Sequence, residues 1–330
     1  MTVPIDFVVT WVDDTDPVWR EKKARYAQQE ESEGNTAARY RDWDTLKYWF
    51  RGVETFAPWV RRIYFVTDDQ IPNWLNTEHP KLKWVTHREF IPAEYLPTFN
   101  SVAIEWNLHR IEGLSEQFVY FNDDVFLIRE TTPADFFADG QPCDFPTLDL
   151  IRGDDLFSHT MRNNAELVNR HFVFREVIKK HWRKWLKDQP LVGVLKLLLC
   201  GFGTRMPGIR NPHIHQAYRK KNFELLWKRE HERIHETCGH RLRTSTDVTP
   251  YCVRDWQLFS GEFTVKKPIG HKFHTADMGH SQEPMAYLEG QKGKVICLND
   301  GEGETDFEQH KQMIIEAFER ILPQKSSFEK

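Results

Sequence analysis

The stretch FVYFNDDVFL, at residues 118–127, is the most informative part of the chain. Its first four residues are aromatic or β-branched, which predicts a short buried strand. The apolar run stops at Asn122-Asp123-Asp124, so two carboxylates follow the strand directly. Ligands of open α/β sheets bind beyond the carboxyl ends of the strands, and adjacent acids there suit a hard divalent cation that bridges phosphate oxygens. Asn and Asp also cap ordinary turns, so the motif alone leaves both interpretations open.

Strands and helices alternate along the chain, which predicts an α/β fold around a central mixed, mostly parallel sheet. Apolar runs predict further strands at residues 5–12, 63–67, 83–87 and 294–298. Apolar positions at helical spacing predict a helix over residues 44–57. The strand at 294–298 again ends in an amide and an acid, Asn299-Asp300. We expect the two acidic strand ends to converge on one crevice, where Mg²⁺ or Mn²⁺ would relieve the concentrated negative charge.

The composition is that of a globular protein, because 40% of the 330 residues are hydrophobic and 13% are aromatic. No apolar run is long enough to predict a transmembrane helix, and the first residues lack the pattern of a signal peptide. Five cysteines form no C-x-x-C pair and are odd in number, which indicates reduced thiols. We therefore expect a cytoplasmic protein.

Positive charge is concentrated between Arg170 and Arg233, although the net charge of the chain is −4. This part contains sixteen Lys or Arg against five Asp or Glu. The charge forms either a solvated helical face or a surface for a polyanion or an anionic membrane leaflet. Because no recognisable nucleic-acid-binding module accompanies it, we do not expect nucleic acid as a partner.

The sequence HERIH at residues 231–235 matches H-E-x-x-H, in which two histidines four apart on a helix share a zinc ion. The residues around it are almost all charged, whereas a buried zinc-binding helix normally carries an apolar stripe. We therefore treat this match as coincidental, and a zinc protease as a disfavoured alternative.

Four separated blocks resemble the Stealth family of sugar-1-phosphate transferases, which includes bacterial capsular polysaccharide polymerases and a eukaryotic N-acetylglucosamine-1-phosphate transferase. The first is IDFVVTWVDDTDP at residues 5–17. The second comprises RYRDWD at 39–44, APWVRRIYFVT at 57–67, IPNWL at 71–75 and NDD at 122–124. The third comprises NPHIH at 211–215 and HRLRTSTD at 240–247, and the last is VICLND at 295–300. Residues 155–205 match no block.

The resemblance implies a nucleotide-sugar-transferase-like fold and a phosphoryl transfer that depends on Mg²⁺ or Mn²⁺. A carbohydrate hydroxyl attacks the β-phosphorus of a nucleotide sugar, expected to be a UDP-sugar, and expels a nucleoside monophosphate. The product is a phosphodiester, as in capsular polysaccharide synthesis. The acceptor is a carbohydrate, and a polyanionic one would suit the basic segment. We expect a cytoplasmic enzyme in peripheral contact with the inner membrane or the capsule machinery.

The same resemblance, with the charge pattern, predicts three parts of the chain. Residues 1–154 would form the nucleotide-sugar-binding α/β part, and residues 155–235 a basic helical insertion or subdomain. Residues 236–330 would complete the catalytic α/β domain and end in a helix.

The family motifs also imply roles for individual residues. Asp124 would act as general base or orient the acceptor hydroxyl, and Asp123 and Asp300 would bind the metal; an exchange of roles between Asp123 and Asp124 is compatible with the motif. His213 would contact the transferred phosphate or shuttle a proton. Arg243 would clamp the phosphates through its bidentate guanidinium. The predicted substrate-binding residues are Thr10, Trp11, Asp13, Arg41, Asp42, Asp44, Asn100, Ser101, Glu105 and Asn299.

Two other functions remain open from the sequence. A conventional metal-dependent glycosyltransferase would use the same acids but release a nucleoside diphosphate. A carbohydrate-binding or scaffold protein would turn over no nucleotide sugar at all.

Overall fold

A computed structural model describes residues 3–27, 40–301, 304 and 306–330 of the chain. Its strands are β1 (Ile5–Thr10), β2 (Ile63–Thr67), β3 (Leu82–Thr86), β4 (Gln117–Phe121), β5 (Val125–Leu127), β6 (Phe137–Ala138), β7 (Gln141–Asp144), β8 (Gln216–Arg219), β9 (Thr264–Val265), β10 (Gly270–His274) and β11 (Val295–Asn299).

The α-helices are α1 (Pro17–Ala27), α2 (Leu46–Phe56), α3 (His87–Phe90), α4 (Ser101–Asn107), α5 (Pro133–Phe136), α6 (Leu156–His171), α7 (Phe174–Leu186), α8 (Leu191–Cys200), α9 (Lys220–Arg229), α10 (His231–Gly239), α11 (Tyr251–Ser260), α12 (Glu283–Glu289) and α13 (Phe307–Ile321). Short 3₁₀ helices occupy Ala93–Tyr95, Leu108–Arg110 and Thr275–Gly279.

The central sheet has five strands in the order β3-β2-β1-β4-β8. The first four are parallel, and β8 runs antiparallel to β4. The prediction of a mixed, mostly parallel sheet is therefore confirmed. Its middle strands are buried on both faces, as parallel strands are. Val8, Tyr64 and Phe118 pack on one face, and Phe7 and Phe65 pack on the other.

A second sheet, in the order β10-β11-β5, is attached to the first through one tight turn. Strand β11 is parallel to β10 and antiparallel to β5, with Cys297 opposite Val125. Because β4 and β5 are separated only by Asn122-Asp123-Asp124, this turn joins the two sheets. The backbone N of Leu298 donates to the carbonyl of Asp124 at 2.9 Å, which holds the turn against β11. A third sheet, in the order β6-β7-β9, lies apart from this junction.

Helix α2 packs against β5, and a glycine permits the close approach. A Cβ atom added to Gly52 would lie 2.7 Å from the carbonyl oxygen of Leu127, closer than such atoms can come. Position 52 therefore has room for glycine only, and through it α2 supports the strand that follows the acidic turn.

The predicted elements agree with the observed ones to within a few residues. The strand at 63–67 is confirmed as β2, the strand at 5–12 ends at Thr10, and those at 83–87 and 294–298 are shifted by one residue. The segment 155–235, predicted as a basic helical insertion or subdomain, contains strand β8, which pairs with β4 of the central sheet. Its helices α6 and α7 also contribute Val168 and Phe174 to the core on one face of the sheet. Among the described residues, no helix has both the length and the apolar character needed to cross a bilayer.

Candidate active site

A cavity of about 1010 Å³ opens beyond the carboxyl ends of β1, β4 and β11. The ends of parallel strands are where ligands bind in such sheets. The acidic turn and the Asn299-Asp300 end both line this cavity, so the structure brings together residues that are 175 positions apart in sequence. The predicted site residues that line it are Thr10, Trp11, Arg41, Asp42, Ser101, Asp123, Asp124, His213, Arg243, Asn299 and Asp300.

Two predicted pocket residues, Asp13 and Asp44, lie outside this lining. The Oδ1 atom of Asp13 accepts hydrogen bonds from the backbone N and the hydroxyl of Thr15, at 2.8 and 2.6 Å, so it shapes the turn after β1. Asp44 is exposed and forms an ion pair with Lys311 of α13. Both carboxylates are engaged in local structure, and their prediction as substrate contacts stays a prediction.

Asn100, another predicted substrate contact, also lies outside the cavity lining. Its side chain caps α4 by accepting from the backbone N of Val102 at 3.0 Å, and its amide donates to Asp247 at 3.0 Å. Asn100 is fully buried, so its polar atoms are used within the fold.

Glu105 lies behind the residues that line the cavity and is not itself part of the lining. Burial raises its pKa to about 7, while the neighbouring Arg243, Ser101 and Tyr120 lower it. The hydroxyl groups of Tyr120 and Thr10 are hydrogen-bonded at 3.0 Å. Glu105 thus supports residues that line the cavity, although it is not among the lining residues itself.

The carboxylates of the acidic turn have strongly perturbed pKa values. Burial, then Asp124 and Asp42, raises the pKa of Asp123 to about 8. Burial also raises the pKa of Asp124 to about 6; the Cys297 thiol and Lys272 act against this rise, and Asp300 adds to it. Burial raises the pKa of Asp42 to about 6 as well. Carboxylates that raise each other's pKa in this way form a site where a cation would be stabilised.

Asp300 is held in place at the opposite edge of the acidic group. Its Oδ2 accepts a hydrogen bond from Trp43 Nε1 at 3.2 Å and lies 3.6 Å from Arg41 Nε. Burial raises the pKa of Asp300, and Arg41 and Trp43 lower it.

His213 faces Asp124 from a strained loop. Its backbone has a φ of 47°, an uncommon conformation for a non-glycine residue, and its N donates to Asn211 Oδ1 at 2.8 Å. Its Nε2 lies 3.9 Å from Asp124 Oδ2, and Tyr251 Oη lies 3.3 Å from its Nδ1. Burial, with help from Lys272 and Arg243, lowers the pKa of His213 to about 3, so the imidazole is neutral. Backbone strain of this kind concentrates at functional sites.

One group of side chains in the site could hold a metal ion. Ligand atoms of Asp124, His213 and Cys297 all lie within 4.8 Å of one another, the one such group found in the described part of the chain. Within that same part, the buried Oδ1 of Asp124 has no hydrogen-bond partner. The cluster differs from the predicted pair of ligands, Asp123 and Asp300, because it is centred on Asp124. Cys297 Sγ donates to Asp124 Oδ2 at 3.4 Å, and burial raises the pKa of Cys297 well above its usual value, so it is a thiol.

Sequence reasoning missed several residues of the site. Lys272 lines the cavity and acts electrostatically on Asp124 and His213. It lies on β10 directly opposite Cys297. The segment GHKFH of β10 contains polar residues at three of its five positions, so no apolar run marked it as a strand. Cys297, which lies inside the predicted strand VICLND, could have been found from its position two residues before Asn299.

The two histidines of the HERIH segment stack on each other at the surface of one helix. They lie on α10 with their rings stacked at a centroid distance of 5.6 Å, and His235 Nδ1 is hydrogen-bonded to Tyr95 Oη at 2.7 Å.

Two models of known protein families match the chain. Stealth protein conserved region 1 matches residues 3–31, and Stealth protein conserved region 2 matches residues 39–144. The match to conserved region 2 thus covers the acidic turn and the strand before it.

Curated relatives match over nearly the whole chain. A capsular polysaccharide phosphotransferase, WcwK, of Streptococcus pneumoniae is 36% identical over 99% of this chain and 98% of its own. An exopolysaccharide phosphotransferase, cps2G, of Lactiplantibacillus plantarum is 38% identical over 99% and 96%. A receptor polysaccharide phosphotransferase, WefC, of Streptococcus gordonii is 39% identical over the full length of both chains. The chain therefore belongs to the Stealth family of phosphotransferases.

Solved structures give weaker matches. The galactosyltransferase LgtC, in complex with donor and acceptor sugar analogues, matches with a TM-score of 0.37 and 12% identity over 94% of this chain and 95% of its own. The glycosyltransferase GlyE of Streptococcus pneumoniae matches with a TM-score of 0.39 and 8% identity over 98% and 63%.

Proposed function

We propose that the protein transfers a sugar 1-phosphate from a nucleotide-diphosphate sugar to a carbohydrate hydroxyl, as a step in the synthesis of a capsular or related polysaccharide. The main support is one combined observation. The chain is 36–39% identical over nearly its whole length to polysaccharide phosphotransferases. Its cavity also brings together four carboxylates with raised pKa values, which belong to Asp42, Asp123, Asp124 and Asp300. A diphosphate bound with a divalent cation would match that charge.

We assign the cation, Mg²⁺ or Mn²⁺, to Asp123 and Asp300, as the family motif implies, with the unpartnered Oδ1 of Asp124 available beside them. These ions prefer oxygen ligands, so the neutral thiol of Cys297 is a poor ligand for them. Cys297 and His213 are better explained as groups that orient the Asp124 carboxylate. When bound, the cation would neutralise negative charge on the diphosphate and on the phosphoryl group during its transfer.

In the proposed reaction the acceptor oxygen forms a bond to the β-phosphorus, and the bond from that phosphorus to the bridging oxygen breaks. The nucleoside monophosphate leaves with the electron pair of the broken bond, and Asp124 accepts the proton of the acceptor hydroxyl. A carboxylate whose pKa is raised to about 6 suits this task, because it is ionised near neutral pH yet more basic than a free aspartate. Arg243 and Lys272 would face the phosphate oxygens, where the neutral His213 can donate a hydrogen bond.

The donor would occupy the remainder of the cavity. Thr10, Trp11, Arg41, Asp42, Ser101 and Asn299 line it and are our candidates for contacts with the nucleotide and the sugar. We propose a UDP-sugar as donor and a carbohydrate, with a polyanionic one favoured by the basic segment, as acceptor.

The leaving nucleotide tests this proposal directly. The purified protein is incubated with a panel of nucleotide sugars, oligosaccharide acceptors and Mg²⁺ or Mn²⁺, the released nucleotide is identified by chromatography, and the product linkage by phosphorus NMR. Release of a monophosphate together with a phosphodiester signal is expected. Release of a diphosphate would establish glycosyl transfer instead, and absence of turnover across the panel would favour a carbohydrate-binding protein.

A further inference from the structure

Helices α7 and α8 and the turn after α8 form an exposed apolar surface. The described part of the chain exposes fourteen large hydrophobic side chains, and nine of them lie between Val173 and Phe202. Leu199 and Phe202 are 82% and 81% exposed. Single exposed apolar residues are ordinary, whereas a contiguous group of them marks an interaction site. We call this group the α7–α8 surface; its members are Val173, Trp182, Leu186, Leu191, Val192, Leu195, Leu198, Leu199 and Phe202.

Helix α8 directs most of its apolar side chains outward. The helix sequence is LVGVLKLLLC, yet only Leu197 of the helix is buried. Its one charged residue, Lys196, instead reaches the rest of the protein, where its Nζ donates to the carbonyl of Leu148 at 3.2 Å. The usual pattern of an amphipathic surface helix is thereby reversed.

The turn that presents Phe202 is fixed to α7 by backbone hydrogen bonds. The N atoms of Phe174 and Arg175 donate to the carbonyls of Thr204 and Gly203, at 2.9 and 3.0 Å. The exposed ring of Phe202 is therefore carried by an anchored loop next to the start of α7.

Positive charge surrounds these apolar side chains. Residues 173–205 contain eight Lys or Arg against two Asp or Glu. The exposed cations among them are Arg175, Lys179, Lys180, Arg183, Lys187 and Arg205. The acids Glu176 and Asp188 are the only negative residues in this range, and Glu176 already pairs with Arg175 at 3.5 Å.

We infer that the α7–α8 surface binds the face of a bilayer that contains anionic phospholipids. Leu, Val, Trp and Phe side chains at this surface would enter the boundary between headgroups and acyl chains, while the surrounding Lys and Arg contact phosphate groups. The ten residues of α8 are too few to cross a bilayer, so the helix would lie along its surface. This inference concerns the location of the protein and does not require the proposed transfer reaction.

The charge pattern favours a bilayer over a second copy of the chain. In a dimer through this surface, six exposed cations from each copy would face the same group of cations on the other, a like-charge arrangement that costs free energy. An anionic bilayer satisfies the apolar and the cationic side chains together.

Sedimentation with lipid vesicles tests this inference. We expect the full chain to bind vesicles that contain phosphatidylglycerol, more weakly at high salt, and to bind pure phosphatidylcholine vesicles far less. The variant L199Q/F202Q should bind the anionic vesicles at least tenfold more weakly, because it removes the two most exposed apolar side chains from the surface. The variant K179Q/K180Q should weaken binding and reduce its salt dependence.

Matched controls separate this effect from general changes. Val18, 73% exposed on α1, gives the control V18Q, and Lys292 gives the exposed-lysine control K292Q; both should bind vesicles like the unaltered chain. Circular dichroism should show all variants folded. Wild-type protein that binds no vesicle, or L199Q/F202Q that binds as tightly as V18Q, would overturn the inference. So would light scattering that shows a dimer which L199Q/F202Q converts to a monomer, with no vesicle binding by either.

Discussion

Asp123 and Asp124 are neighbours in the chain, but they meet different surroundings in the cavity. Asp123 is flanked by the carboxylates of Asp124 and Asp42, which add to the effect of burial on its pKa. Asp124 has the Cys297 thiol and Lys272 beside it, so its pKa is raised less. Two carboxylates with separated pKa values can take different roles, one holding a cation and the other exchanging a proton.

The exchange of Asp124 for Asn tests its role as base. The amide keeps the size of the side chain but cannot accept the proton, so we expect kcat to fall by roughly 10²- to 10⁴-fold, with little change in thermal stability. Asp69→Asn is the matched control, because this exposed aspartate follows β2 and pairs with Arg88 outside the cavity. If D124N retains near-normal kcat, the base must be another group.

The raised pKa of Asp123 predicts how the stability of the metal-free protein depends on pH. Its folded pKa of about 8 exceeds the unfolded value of about 4, so the folded state holds a proton that the unfolded state has lost. The contribution of Asp123 to stability therefore falls as pH rises toward 8. Burial lowers the pKa values of His87, His109, His213 and His215, and these groups oppose the trend until they are neutral in the unfolded state too, roughly one pH unit above their unfolded pKa of about 6.5.

Between about pH 6.5 and 8, we expect the Asp123 proton to contribute a fall of up to about 1.4 kcal/mol per pH unit to the slope of the unfolding free energy. Urea denaturation in the presence of a chelator measures it. The variant Asp123→Asn should lack this contribution to the slope, and a slope equal to that of the unaltered chain would mean that Asp123 does not titrate in this range.

At the scale of elements, the turn between β4 and β5 depends on its supports from α2 and β11. Replacement of Gly52 by Ala would force a methyl group against the Leu127 carbonyl. We expect a loss of about 1–3 kcal/mol in unfolding free energy, the usual range for overpacking, and a fall in activity because β5 follows Asp124 directly. Gly239→Ala, at a position with nothing within 4 Å of the added Cβ, should leave stability nearly unchanged. Equal stability of the two variants by denaturant titration would contradict this account.

The strands also show which parts of the fold could be predicted from the sequence and which could not. Strands β2 and β4 are continuous apolar runs bounded by charged or polar residues, so they could be predicted, and so could the acids at their ends. Strand β10 is recognisable only through its pairing with β11, a contact between distant elements that no local pattern encodes. Lys272 was missed for that reason. The local sequence also does not show that the Asn100 side chain caps α4 and donates to Asp247, because the second of these contacts joins distant parts of the chain.

At the scale of the whole molecule, the acidic cavity predicts a linkage between cation binding and folding. A cation that binds only the folded state stabilises it by about 2.7 kcal/mol at a hundred times its dissociation constant. We expect Mg²⁺ or Mn²⁺ to raise the melting temperature more at pH 8 than at pH 6, values that correspond to the raised pKa values of about 8 and about 6 for Asp123 and Asp124, since binding requires ionised carboxylates.

The double variant D123N/D300N provides the control for this linkage in differential scanning fluorimetry. It should lose most of the metal-induced shift, whereas D69N should keep it. A shift that is equal in both variants would place the cation elsewhere on the protein.

The junction of two sheets at a single turn also has a consequence for synthesis on the ribosome. Strand β5 pairs with β11, whose residues are translated about 170 positions later. An emerging chain can form β1, β2, β3 and β4 early, yet its acidic turn has no partner strand on one side until residues 295–299 leave the exit tunnel. Polypeptides that are released before that point therefore carry Asp123 and Asp124 without strand β11, which pairs with β5 next to the acidic turn. Such polypeptides should be inactive.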